Sequence, residues 1–191
     1  FERLQSGMPY VLCFGRMVED KGIFDILSAL ETRLRGMRDV GLVYAGVGRD
    51  LHRLEEQIAH TGLTDQVATL GNVARDQLPT LIRSARLTVV ATQTNVGEGR
   101  CLAAMESLAL GIPVVAPDFG PFPYLIEDGG NGLLYRPDSI DDLGTKIDAL
   151  MDDDALYQKI LQGVAAMNSI LLTPNMTFSQ ALHDAFKNEP T

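Results

Sequence analysis

Short apolar runs alternate with stretches of helical periodicity along nearly the whole chain. The first run, Tyr10 to Phe14, stops at Gly15 and predicts a strand. From about Gly22 to Leu34 the apolar positions recur on one helical face, at Phe24, Leu27, Leu30 and Leu34. Leu42 to Ala45 predicts a second strand. Asp50 is placed to cap or begin a helix reaching about His60, with Leu51, Leu54 and Ile58 inward. Val67 to Leu70 reads as a third strand, and a helix carrying Leu78, Leu81, Ile82 and Ala85 follows. Leu87 to Ala91 is the fourth strand. The stretch Gly99 to Leu110 predicts a helix apolar on most sides, hence buried. Pro113 to Ala116 and Leu133 to Tyr135 are the fifth and sixth strands. Helices over about Ile140 to Met151 and Ala155 to Ala166 come next. An irregular link near Leu171 to Thr177 and an amphipathic helix near Phe178 to Lys187 complete the pattern.

Continuously apolar strands alternating with helices imply a parallel sheet covered on both faces. The fold class is α/β, a doubly wound, Rossmann-like parallel sheet. Residues 1–170 are expected to form that domain, and 171–191 the link and terminal helix. Ligands of such sheets bind beyond the carboxyl ends of the strands. The loops after Phe14, Ala45, Leu70, Ala91 and Ala116 are therefore the candidate site.

Composition narrows the function. A chain of 191 residues, 46% hydrophobic and 21% charged, can build one real core. A net charge of −9 with no basic stripe argues against nucleic acid as a partner. No apolar run approaches the ~20 residues of a membrane helix, so no direct insertion is expected. Cys13 falls in a predicted strand and Cys101 in a predicted buried helix, which reads as reduced packing residues of a cytoplasmic protein. His52, His60 and His183 are scattered, leaving no metal cluster. The acidic runs Asp141–Asp142 and Asp152 to Asp154 read as solvated helix ends. The chain begins at Phe1, as expected of a piece of something longer.

The chemistry concentrates between residues 95 and 135. Glu98 precedes the predicted helix and Glu106 lies two turns inside it. Helical Cβ vectors tilt toward the N-terminus, so Glu106 leans back toward Glu98. Two carboxylates accept hydrogen bonds from vicinal hydroxyls, and free N–H groups at the helix start donate to phosphate. After the first strand, Gly15 permits a sharp turn, and Arg16 and Lys21 offer a guanidinium fork and a point charge to phosphate. Alone, both would read as solvated charges; sharing a rim with Glu98 favours a ligand. The Gly46 to Asp50 loop resembles part of a dinucleotide fingerprint, yet lacks its third glycine and following acid. Gly71, Asn72 and Val73 can present main-chain groups to a base, or form a plain strand-to-helix turn.

Together these residues resemble the nucleotide-sugar-binding C-terminal domain of the retaining GT-B, or group 1, glycosyltransferases. The carriers are Gly15-Arg16…Lys21-Gly22, Glu98…Glu106, Gly111-Ile112-Pro113-Val114, and Gly120…Pro123…Gly129-Gly130-Asn131-Gly132, spread over about Val11 to Ala166. The resemblance implies that Arg16 and Lys21 bind the donor diphosphate, with Gly15 shaping their loop. It implies that Glu106 holds the ribose and Glu98 the sugar ring. Amides around Gly99, Arg100, Cys101 and Leu102 would meet phosphate and sugar, and Gly71 to Val73 the base. It implies a UDP-, GDP- or ADP-sugar donor, no metal, and an acceptor such as a glycan or glycolipid bound by an N-terminal domain missing here. The parent enzyme would be cytoplasmic or peripheral to a membrane. The sequence departs from the family pattern at Arg100-Cys101, where Phe-Gly is common, and at Tyr124, where glutamate is usual. A non-catalytic nucleotide-sugar-binding module, and an epimerase or dehydrogenase on a similar scaffold, are the alternatives.

Overall fold

The computed structural model describes residues 7–37 and 39–171. Six strands form one sheet: β1 Tyr10–Phe14, β2 Gly41–Ala45, β3 Val67–Thr69, β4 Leu87–Val89, β5 Val114–Pro117 and β6 Gly132–Tyr135. Their order is β3-β2-β1-β4-β5-β6, all parallel. The helices are α1 Ile23–Gly36, α2 Leu51–Thr61, α3 Leu78–Arg83, α4 Leu102–Ala109, α5 Phe122–Leu125, α6 Ile140–Asp152 and α7 Asp154–Leu171. The doubly wound α/β expectation is therefore met.

Side chains alternate between faces along a strand, and here both faces are apolar. Val11 and Cys13 of β1, with Leu42 and Tyr44 of β2, join a large core lined by α1, α2, α4, α6 and α7. Tyr10, Leu12, Val43 and Ala45 point the other way, onto Leu81 and Ile82 of α3. In α1, Ile23, Ile26, Leu27, Leu30 and Leu34 are buried, each worth ~1.5–3 kcal/mol of transfer free energy. Phe24, expected on that face, is only partly buried and lies under the Arg53 guanidinium at 4.5 Å. Arg33, on the inner side of α1, is 5% exposed and ties α1 to α6 through Asp148 and Asp152, with Asp39 as a third partner.

The structure departs from the sequence expectation at several points. The fourth strand was expected to Ala91 but stops at Val89. Val90 N–H still reaches the Val115 carbonyl, and then Gln93 N–H turns away to the Asp20 carbonyl at 3.0 Å. That carbonyl belongs to a 3₁₀ turn, Glu19–Lys21, which the periodicity did not reveal. The four-residue helix α5 was not foreseen either. Helix α4 starts at Leu102 rather than Gly99, because Cys101 is extended at φ −84°, ψ 90°. Asp50 does not cap α2; its Oδ2 accepts from Glu19 N–H at 2.8 Å, fastening the first loop to the second. Helix α3 ends before Ala85, which is nevertheless buried. The acidic runs lie at helix ends, as expected, but not all are merely solvated. Ser139 Oγ accepts from Asp142 N–H, and Asp153 Oδ1 accepts from Leu156 N–H, whereas Asp152 turns inward to Arg33. Helix α7 runs past Ala166 to Leu171. The link beyond it and the helix near Phe178 to Lys187 lie outside the described residues.

Candidate functional site

Strand order decides what meets at the carboxyl edge. The chain leaves β1 toward β2 on one side and returns to pair β4 on the other. The loops after β1 and β4 therefore face one another at the point where the winding reverses, the usual ligand crevice of such sheets. Their approach is very close at Gly22. A Cβ there would stand 2.1 Å from the Ala91 carbonyl oxygen, so only glycine lets α1 begin against the end of β4.

That approach brings two predicted residues together. Lys21 Nζ lies 2.5 Å from Glu98 Oε2, with the side chains 22% and 11% exposed. The same Glu98 oxygen accepts from Thr92 Oγ1 at 3.1 Å. Thr92 escaped the sequence reading, although a polar residue closing the apolar run Leu87 to Ala91 on the ligand rim was the available signal. Arg16 stands exposed on the first loop, and among the described residues its guanidinium has no hydrogen-bond or ion-pair partner. Glu106, in the second turn of α4, is also exposed and has no side-chain partner among the described residues. Among the described residues, the rim thus carries the engaged Lys21–Glu98 pair, while the exposed side chains of Arg16, Arg100 and Glu106 have no hydrogen-bond or ion-pair partner.

Glu98 and Gly99 lie in a loop rather than at a helix start. At the start of α4, Met105 N–H reaches the Cys101 carbonyl and the Ala103 and Ala104 N–H groups face the Cys101 sulfur, which leaves the Leu102 amide turned to the loop. Leu102 is exposed. Gly99, Arg100 and Cys101 flank a small cleft of about 130 Å³ that Phe122 and Tyr124 of α5 close from the other side. Tyr124 is 92% exposed. Burial pushes the Cys101 thiol up, and pushes Cys13 to about 12, so neither is a thiolate at neutral pH. Both act as packing residues.

The remaining predicted residues sit elsewhere on the rim. Gly15 ends β1 and donates its N–H to the Ala45 carbonyl at 2.9 Å. The Gly46 to Asp50 loop continues that ladder, with Met17 N–H on the Val47 carbonyl and Asp50 N–H on that of Met17. A Cβ on Gly46 would stand 1.8 Å from the Gly15 oxygen, and one on Gly48 2.1 Å from the Met17 oxygen. These glycines serve loop-to-loop packing, which explains an incomplete dinucleotide fingerprint. Gly71, Asn72 and Val73 follow β3. Asn72 and Val73 border a cleft of about 900 Å³ that runs beneath α3 to Met8, Pro9 and Tyr10. Lys21, Glu98 and Glu106 do not line it. Among the described residues, no group of three or more His, Cys, Asp or Glu side chains is arranged to hold a metal ion.

Comparison with known proteins identifies the family and the fold. The family described as Glycosyl transferases group 1 matches residues 2–164. The chain belongs to the group 1 glycosyltransferases. It is 30% identical over 160 residues to the alpha-D-kanosaminyltransferase of Streptomyces kanamyceticus, covering 83% of this chain and 40% of that protein. It is 29% identical over 149 residues to a GDP-mannose-dependent alpha-(1-6)-phosphatidylinositol monomannoside mannosyltransferase of Mycobacterium tuberculosis, covering 76% and 39%. This group 1 chain thus spans about two-fifths of the length of the curated relatives it matches. In structure it resembles the C-terminal domain of the group 1 glycosyltransferase LpcC of Francisella tularensis. The TM-score is 0.76 at 29% identity, covering 86% of this chain and 88% of that one. A structure of Anabaena Alr3699/HepE in complex with UDP shares the fold at TM-score 0.83 and 23% identity, covering 98% of this chain and 51% of the other. The group 1 domain described here is accordingly one Rossmann-like half of the GT-B architecture. Among its described residues no helix is long and apolar enough to cross a membrane.

Proposed function

We propose that this chain is the donor-binding half of a retaining glycosyltransferase that moves a sugar from a nucleotide-sugar to a glycan or glycolipid acceptor. The observation that carries the reading is the Lys21–Glu98 pair, formed where the loops after β1 and β4 meet at the switch point of a group 1 domain, with Arg16 exposed on the first of those loops. Arg16 and Lys21 bind the diphosphate. As the bond from the anomeric carbon to the phosphate oxygen breaks, its electron pair stays on the leaving diphosphate, and preorganised cations stabilise that charge. Two cations suffice for this without a metal. Glu106 accepts the ribose hydroxyls, and Glu98 meets the sugar ring. The amides of Gly99 to Leu102 meet phosphate and sugar, and Gly71 to Val73 the base. Lys21 is shared: in the free domain it neutralises Glu98, and on donor entry it turns part of its charge to phosphate. The absent N-terminal half presents the acceptor hydroxyl, which bonds to the anomeric carbon on the face the diphosphate leaves. UDP in the Anabaena structure and in a complex of Staphylococcus aureus TarM supports a nucleoside diphosphate as the ligand class. The location proposed is cytoplasmic.

The test is calorimetric titration of this chain with UDP, GDP, ADP and NAD, with and without EDTA. Saturable binding of one nucleoside diphosphate, unchanged by EDTA and weakened about tenfold by Arg16→Ala or Lys21→Ala, is the expected result. Binding of NAD alone, or alanine variants that bind as well as the parent, would overturn it.

A further inference from the structure

The loop that presents Glu98 has little backbone support of its own. Among the described residues, Gly97, Glu98, Gly99 and Arg100 make no backbone hydrogen bond. Their position depends on the Glu98 side chain at one end and on the anchoring of Gln93 and Thr94 at the other. That anchoring is dense. Gln93 N–H donates to the Asp20 carbonyl at 3.0 Å. Gln93 Nε2 donates to Asp25 Oδ2 at 2.9 Å. Thr94 N–H donates to Asp138 Oδ1 at 3.2 Å, and Thr94 Oγ1 donates to Asp138 Oδ2 in a very short contact.

The two acids come from different elements. Asp25 lies in the first turn of α1, and Asp138 in the turn before α6. Arg33 holds those two helices together. Asp138 is also the only non-glycine residue at positive φ among the described residues, at 56°. Aspartate tolerates that region better than most residues, but glycine occupies it more easily. A strained position is retained where its side chain has work to do, and here both carboxylate oxygens hold Thr94.

We propose that Asp138 is a positioning residue for Glu98. It clasps Thr94, fixes the start of the 92–101 loop, and so sets where the Glu98 carboxylate meets Lys21 and the donor sugar. The inference rests on the donor-binding reading and adds a residue that touches neither donor nor acceptor.

Asp138→Gly separates the clasp from the backbone. It removes both contacts to Thr94 and relieves the left-handed strain, so the domain is expected to fold with little change in melting temperature. Calorimetry with the nucleotide-sugar and with its nucleoside diphosphate then reads the site. Asp138→Gly is expected to weaken the nucleotide-sugar about fivefold and leave the nucleoside diphosphate within about twofold, like Glu98→Gln. The double variant should be no weaker than the worse single one, since residues acting through one group are not additive. Asp138→Asn, which keeps an acceptor oxygen and tolerates positive φ, should recover most of the loss. Amide exchange at Gln93 and Thr94 in the ligand-free chain, whose N–H groups are bonded to Asp20 and Asp138, should rise in Asp138→Gly and not in Asp138→Asn. An unaltered chain that binds neither nucleotide-sugar nor nucleoside diphosphate would overturn the donor-binding reading and this role with it. Normal binding by the unaltered chain, with Asp138→Gly indistinguishable from it or fully additive with Glu98→Gln, would overturn the clasp alone.

Discussion

Replacing Arg33 by Met tests how the two helices behind the charged mouth are held. The guanidinium makes five N–H···O contacts of 2.6–3.2 Å, to Asp39, Asp148 and Asp152. Its side chain is 5% exposed, whereas its partners are 42%, 50% and 56% exposed. Methionine keeps most of the apolar stem in place and removes the fork. The three carboxylates then rehydrate readily, so each lost pair costs nearer ~0.5–1 kcal/mol than the figure for a buried bridge. Three uncompensated acids on one patch add a repulsion of ~0.5–1 kcal/mol. The sum is ~2–4 kcal/mol, which for a domain of this size lowers the melting temperature by about 6–12 °C. Scanning calorimetry of parent, Arg33→Met and Arg33→Lys measures it. Lysine should fall between, because it restores the charge without the fork. The repulsive part should shrink in ~1 M salt, where the screening length drops to ~3 Å. A melting temperature for Arg33→Met within about 2 °C of the parent would refute the reasoning, as would lysine matching arginine.

Two further outcomes follow from the same geometry. The Arg33 hydrogen bond holds the Asp152 carboxyl below its usual range. A depressed carboxylate stabilises the fold above its unfolded value of ~3.9 and loses that stabilisation as pH falls through the folded value. The melting gap between parent and Arg33→Met should therefore be full at pH 7 and narrow below about pH 4; a gap that widens on acidification would refute the assignment. Gly46→Ala places a Cβ 1.8 Å from the Gly15 carbonyl oxygen, which only backbone movement relieves. It should cost ~3 kcal/mol or more and weaken nucleoside diphosphate binding by displacing Arg16; a variant as stable as the parent would show that the two loops are not packed as described.

The sequence was most legible where one local rule decides the outcome. Each of the six strands was readable from its apolar run, because a strand buried on both faces needs no partner to announce itself. That Lys21 and Glu98 share one rim was readable too, from the loop after the first strand and the stretch before the α4 helix, and the structure pairs them. What could not be read depends on pairings distant in the chain. Asp50 looks like a helix cap in isolation, but Glu19, 31 positions away, takes its carboxylate. The start of α4 was placed too early because nothing local says that Lys21 and Thr92 hold Glu98 in a loop. Asp138 carries no local signal in the sequence, since its partner Thr94 lies 44 positions earlier.

The strand order also has a bearing on inheritance. Lys21 belongs to the β1–α1 unit and Glu98 to the β4–α4 unit, and the sheet joins those units through a short ladder pairing Val11 with Leu87 and Leu12 with Thr88. In the proposed site, the grip on the pyrophosphate and the grip on the sugar thus reside in separable pieces of chain. In that proposed site, changes around Glu98 are expected to bear first on the sugar while Arg16 keeps its hold on the phosphate, on a scaffold whose relatives carry names as different as kanosaminyl and mannosyl transferases.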